Sequence, residues 1–282
     1  MTGPSYRWCC HTLTALGVAA LSGWGSPVFA QSPTGDLVSR TELRVCADPN
    51  NLPFSNEAGE GFENKIAQAL GQELALPVKF TWFPQIIGFV RNTLQAGRCD
   101  LVIGTVAGDE TMQTTTPYYY TSYVVVFRAD KGLSFADFTD PKLKPLHIGV
   151  VAGTPPANLL VRYDLMVNAR PYALTVDTRY ESPSHQIVTD VVDGAIDAAM
   201  LWGPIAGYYI HRDKLPLALV RLKTEPDMPR MEYHIAMGLR ANDMEWRRRI
   251  NDAIHKRQAE ITGILRDYGV PLLDELGNPL PP

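Results

Sequence analysis

The sequence predicts an α/β protein built as two α/β lobes joined by a two-strand hinge. Three observations carry this. From Leu43 to Gly104, apolar strands alternate with amphipathic helices in the order βαβαβ, the pattern of a parallel sheet with helices packed on it. A similar alternation recurs between His147 and Leu201. A late strand, Tyr233 to Leu239, leads into a long helix, so the chain crosses between the lobes twice and returns to the first.

Leu43 to Ala47 (LRVCA) is a short apolar strand, closed by Asp48-Pro49-Asn50-Asn51-Leu52-Pro53, a run dense in turn residues. Phe62, Ile66, Ala69, Leu70 and Leu74 form one stripe at helical spacing, which predicts a helix over 62–74. Val78 to Phe83 is the next strand, and 86–96 the next helix, ended by Gly97. Asp100 to Gly104 is wholly apolar after its first residue, as suits a strand covered on both faces. In the second half, 147–151 is a strand, with Thr154 as N-cap and Pro155 as first residue of the following helix. Leu174 to Val176 is another short strand, and 184–193 a helix. Both Leu94–Ile103 and Asp193–Leu201 run from a glycine through a short polar step to Asp and an apolar strand, a weak internal echo. Tyr123 to Arg128 and Tyr233 to Leu239 supply the hinge, and Ile250, Ile254 and Ile261 stripe the last helix. Lobe 1 is thus discontinuous, 42–126 with 236–282, and lobe 2 is 127–235.

Residues 1–30 read as a cleavable secretory signal peptide. Arg7 gives a positive start, LTALGVAAL (13–21) an apolar stretch, and Val28-Phe29-Ala30 a small-x-small cleavage pattern. The stretch is shorter than the ~20 residues a bilayer span needs. Cys9 and Cys10 precede it, which argues against a lipoprotein. The expected location is the periplasm. Residues 31–41 are rich in Ser, Pro and Gly and read as a flexible N-terminus. The whole chain has 282 residues and a formal net charge of −4; cleavage after Ala30 removes one arginine and no acid, leaving 252 residues at −5. Mild acidity argues against nucleic acid and anionic membrane surfaces as partners. No later segment is apolar enough for a membrane span. Only Cys46 and Cys99 remain after cleavage, so an oxidising compartment favours one disulfide over two buried thiols.

Several strings resemble solute-binding family 3, the type II periplasmic binding proteins. These are Leu43-Arg44-Val45, Asn51-Leu52-Pro53-Phe54, Gly61-Phe62-Glu63, Leu94-Gln95-Ala96-Gly97-Arg98-Cys99-Asp100 and Pro117-Tyr118-Tyr119. The resemblance implies the type II periplasmic binding protein fold. Cys46 to Asn56, Gly61 to Ile66, Phe89 to Leu94 and Leu201-Trp202-Gly203-Pro204 are similar to its quinoprotein-dehydrogenase-associated, MxaJ/XoxJ-like subgroup of methanol-oxidation clusters. That resemblance implies an accessory protein for a PQQ-dependent quinoprotein alcohol dehydrogenase, acting on its maturation or activation by protein or cofactor binding. No cofactor of its own is implied, and PQQ would be met through the partner enzyme. The alternative is the receptor of an ABC importer for a small polar solute.

Amino-acid receptors of the family grip an α-carboxylate with an arginine after the third strand, whose planar fork bonds it in two places. Here Thr105 to Gln113 holds no Arg or Lys and two acids, Asp109 and Glu110, so an ordinary amino acid is not the expected ligand. Arg91 and Arg128 are the alternative sources of a clamp. The candidate cleft residues are Asp48, Asn50, Asn51 and Phe54 on the loop after the first strand, where open α/β sheets bind ligands, and Glu63 and Asn64 at the start of the first helix. Thr105, Thr154 and Trp202 complete the set, with Thr154 at a helix N-terminus suited to an anion. Trp82, Phe83, Tyr118, Tyr119, Tyr120 and Tyr208 are further aromatic candidates. No G-x-S-x-G elbow, P-loop or H-E-x-x-H motif is present, and the histidines lack metal-ligand spacing, so neither catalysis nor a metal is expected. His234, on the second hinge strand, is the histidine of most interest.

Overall fold

In the computed structural model, residues 38–133 and 137–281 are described. The expected signal peptide, 1–30, lies outside them. Ordered packing begins before residue 42: Val38 is buried in the core, and the Ser39 N–H donates to Asp100 Oδ2.

The strands are β1 (Leu43–Ala47), β2 (Asn50–Asn51), β3 (Ser55–Asn56), β4 (Val78–Trp82), β5 (Leu101–Val106), β6 (Gln113–Thr114), β7 (Tyr119–Arg128), β8 (Ile148–Val151), β9 (Arg170–Tyr172), β10 (Ala198–Trp202), β11 (Leu217–Arg221) and β12 (Glu232–Leu239). The helices are α1 (Phe62–Leu74), α2 (Phe89–Asn92), α3 (Pro155–Arg162), α4 (Pro183–Val192), α5 (Gly203–Asp213) and α6 (Met244–Asp267). Ten strands join in the order β4-β1-β5-β12-β7-β10-β8-β9, with β6 beside β12 and β11 beside β7. β1 pairs in parallel with β4 and β5, and β8 in parallel with β9 and β10. β12 and β7 are antiparallel to each other and lie between these two parallel groups. β7 passes from one group to the other: Tyr119–Ser122 pair with β12, and Tyr123–Phe127 with β10.

Each parallel group has its own apolar core. Leu43, Val45, Phe62, Ile66, Leu101 and Ile103 pack with Ile250, Ile254 and Ile261 of α6, so the last helix returns to the first group. On β7 the side chains alternate: Val124 and Val126 enter one core with Ile187 and Leu201, and Val125 and Phe127 enter another with Leu159 and Met200. This alternation is why a run of valines crosses the molecule as a strand covered on both faces.

Four expectations are corrected. The helix over 86–96 is reduced to α2. Gly88 has φ +93°, and after Asn92 the N–H groups of Gln95 and Arg98 bond carbonyls five residues back, at Val90 and Thr93, so the turn widens and stops. The strand expected at 174–176 lies instead at β9; it is an edge strand, which tolerates Pro171. Thr154 precedes α3 as expected, but its hydroxyl donates to Val151 O at 2.6 Å and caps no helical N–H. Helix α5 and strand β11 have no counterpart in the sequence reading.

Cys46 and Cys99 form a disulfide that closes a separation of 53 residues. Beside it, Asp100 accepts from Arg44 Nε and Nη2 and from Arg240 Nη2, each at 2.7 Å.

Candidate ligand-binding cleft

The turn after β1 is held by one carboxylate. Asp48 is 1% exposed. Its Oδ1 accepts from the Asn50 N–H at 2.9 Å, and its Oδ2 from the Gln85 N–H at 2.6 Å. The Ser55 hydroxyl donates to Asp48 O, and β2 and β3 close the hairpin. Phe54 is thereby set against Phe62, with ring centroids 5.4 Å apart. The hairpin packs so closely on α1 that a Cβ at Gly61 would lie 2.1 Å from Phe54 O. Gly61→Ala is therefore expected to lower the unfolding midpoint by shifting this loop, at a cost of roughly 1–3 kcal/mol; an unchanged urea midpoint would contradict the contact. Asn64 Oδ1 accepts from the Gly61 and Asn56 N–H groups, so Asn64 caps α1 and ties it to the hairpin.

These elements form one side of a cavity of about 380 Å³. The hinge strands form its floor, with Tyr119 and Tyr123 from β7 and Tyr233 and Ile235 from β12. Trp202, opposite Tyr123 in the β10–β7 register, completes an aromatic cluster: ring centroids are 4.9 Å apart for Tyr123–Trp202 and 5.6 Å for Trp202–Tyr233. The far side is built from Val151, Thr154, Leu174, Val176, Ile187 and Ile205. A latch joins the two sides. The Thr178 hydroxyl donates to Asp48 Oδ1 at 2.7 Å, and Asn50 Nδ2 donates to Thr178 O at 2.8 Å. Thr178→Val removes one donor from a buried carboxylate, worth roughly 1.5–3 kcal/mol. The expected result is a larger radius of gyration by small-angle X-ray scattering; an unchanged radius would show the latch to be idle.

Of the residues chosen from sequence, Asn50, Asn51, Phe54, Glu63, Thr105, Thr154 and Trp202 line the cavity. Asp48 and Asn64 do not line it: one holds the latch and the hairpin, the other the helix start. Among the aromatic candidates Tyr119 lines it, while Tyr118 is buried with its hydroxyl on Ile103 O. Trp82 stacks on Phe80, Phe83 packs by Phe89, and Tyr208 stacks on Tyr268. Tyr120 lies edge-on to His234, which is exposed outside the cavity. Neither alternative clamp lines it; Arg128 is paired with Asp130. Tyr123, Tyr233, Gln85 and Thr178 were not singled out from sequence. The two tyrosines carried a signal, being aromatic residues on strands already read as the hinge.

No Lys or Arg lines the cavity. Its buried ionisable group is Glu63, 6% exposed. Burial, and secondarily the charge of Asp48, push its carboxyl up to about 8. Burial likewise raises the hydroxyls of Tyr118 and Tyr119, with the Glu63 charge a smaller contribution to each.

The family model for bacterial extracellular solute-binding proteins, family 3, matches residues 43–269. The chain belongs to this family. It is 39% identical to the periplasmic binding protein XoxJ from Methylobacterium extorquens AM1, with a TM-score of 0.71 over 83% of this chain and 100% of that one. It is 29% identical to MxaJ from Methlophaga aminisulfidivorans MPT, with a TM-score of 0.70 over 82% of this chain and 100% of that one. It is 30% identical to the protein MoxJ of Methylorubrum extorquens over 82% of this chain and 81% of that protein. The fold is thus that of the type II periplasmic binding proteins, and the sequence likeness is to the MxaJ/XoxJ-like members. Among the described residues no helix is long and apolar enough to cross a membrane.

Proposed function

We propose that this protein is a periplasmic accessory factor of a PQQ-dependent quinoprotein alcohol dehydrogenase of the methanol-oxidising kind, assisting its maturation or activation through a protein contact. The likeness to MxaJ and XoxJ along the described chain motivates the partner. The observation that carries the reading is chemical: the cleft has no cation to grip an α-carboxylate, so the amino-acid receptor's device is absent. The same observation speaks against a cofactor carrier. PQQ bears several carboxylates, and a cleft walled by aromatic rings around Glu63, without Lys or Arg, does not fit a polyanion. PQQ is then held by the dehydrogenase, and this chain meets it there.

Capture of apo and holo quinoprotein dehydrogenase on the immobilised protein, with calorimetry against small polar metabolites, tests the reading. Affinity for the dehydrogenase is the expected result. Tight binding of a small solute with no affinity for the dehydrogenase would instead make the protein an importer's receptor.

A further inference from the structure

We propose that the cleft is an ammonium site, in which the Glu63 carboxylate receives an alkylammonium head while the attached carbons contact Tyr119, Tyr123, Trp202 and Tyr233. The inference is independent of the dehydrogenase reading.

Four observations lead to it. First, Glu63 is a buried carboxyl with no hydrogen bond or ion pair to its oxygens among the described residues, although it lines the cavity. Its neighbours in kind are all satisfied. Asp48 accepts three bonds, Asp100 faces Arg44 and Arg240, and Asp190 takes Arg170, Tyr172 and Gln186. A buried carboxyl without a partner is unfavourable, so one retained facing a cavity points to a partner from outside. Second, the chain makes room for it. A Cβ on Gly104 would lie 2.2 Å from Glu63 Oε1, so the carboxyl rests on bare backbone. Third, the walls suit a cation. Aromatic faces carry negative quadrupole potential and attract ammonium groups, most strongly where water is excluded. Fourth, the balance of charge excludes anions. Glu63 and Glu181 line the cavity, Asp48 stands behind it, and no Lys or Arg lines it to oppose them. A metal ion is a poorer occupant, because hard cations take six or more oxygen ligands and the cavity offers one buried carboxyl.

The groups facing Glu63 set the proton balance. They are Asp48 on the hairpin side, Tyr118, Tyr119 and Tyr123 on β7, and Tyr233 on β12, with Glu181 at the rim. With the cavity empty, burial keeps Glu63 protonated at neutral pH. An arriving ammonium favours the carboxylate, so the O–H proton leaves to solvent and an ion pair remains. The ammonium has two sources with the same chemistry: a free amine, or the side chain of a lysine on a protein partner.

Calorimetry at pH 7, in two buffers of different ionisation enthalpy, tests this with four probes: benzylammonium, Nα-acetyl-lysine-N-methylamide, benzyl alcohol and benzoate. At least one ammonium probe is expected to bind tenfold or more tightly than benzyl alcohol, with benzoate weakest, and to release up to one proton. Glu63→Gln, with folding checked by circular dichroism, is expected to lose that tenfold preference and the proton release. Gly104→Ala, which displaces the carboxyl, should move affinity the same way. Preference for the lysine amide assigns the site to a partner's side chain, and preference for benzylammonium to a free amine; both support the proposal. It is overturned if neither ammonium probe binds, if benzyl alcohol binds as tightly, or if Glu63→Gln leaves ammonium affinity unchanged. None of these outcomes bears on capture of the dehydrogenase, so the two readings fail separately.

Discussion

Replacing Cys46 and Cys99 together by serine is expected to lower the free energy of unfolding by about 4 kcal/mol, the loop-entropy value for a cross-link closing 53 residues. The local packing adds to this. Both cysteines are buried among Phe89, Leu94 and Val102, so the two new hydroxyls enter an apolar cluster. The bridge also fastens the turn after α2 to β1, next to the salt bridges that tie Asp100 to Arg44 and Arg240. Those pairs keep their partners in the serine variant, so the loss reads the cross-link and its cluster alone. Urea unfolding of the oxidised wild type and the double variant measures it. A difference below ~1 kcal/mol would show that the unfolded chain gains little freedom from the missing bond.

The prediction also shows what was legible in the sequence. With the signal removed, counting left two cysteines, and their pairing needed no further information. The strand LRVCA and the helix over 62–74 were equally plain, because Phe62, Ile66 and Leu70 repeat at the period their buried face requires. The segment 86–96 was not. It has helical composition, but the bonds from Gln95 to Val90 and from Arg98 to Thr93 close it as wide turns before Cys99. Tertiary linkage outweighed propensity there. The cleft was half legible for a similar reason. Asn50, Asn51, Phe54 and Glu63 follow directly from the end of β1 and the start of α1, a place that open sheets favour for ligands. Tyr123 and Tyr233 read as hinge, and only the register across β12, β7 and β10 brings them beside Trp202. Thr178 lies in an irregular segment with no periodicity, so its bond to Asp48 across 130 residues left no local trace.

Glu63 shows how far one carboxyl shapes the empty molecule, and Glu63→Gln is expected to stabilise it in a pH-dependent way. In the unfolded chain the carboxyl ionises around its ordinary value of 4.5; in the fold it keeps its proton until about 8. Between these limits the folded state holds a proton that the unfolded state has released. Stability contributed by Glu63 is therefore fully present below pH 4.5 and is lost as pH rises toward 8. At ~1.4 kcal/mol per pH unit of difference the full span is worth at most about 5 kcal/mol, and water entering the cleft reduces it to roughly 2–4 kcal/mol. Glutamine has no proton to lose. Urea midpoints of the two proteins are thus expected to coincide near pH 4 and to diverge in favour of Glu63→Gln by pH 8.5. The groups around it, Asp48 and the tyrosines, are common to both proteins and largely cancel in the difference. Equal midpoints at pH 8.5 would mean that the carboxyl is solvated and ionised in the fold, and a gain already complete at pH 4 would mean that shape rather than charge sets the effect. If the divergence appears, the carboxyl destabilises the empty protein at the pH where a binding protein works, and the residue is retained there for what it binds.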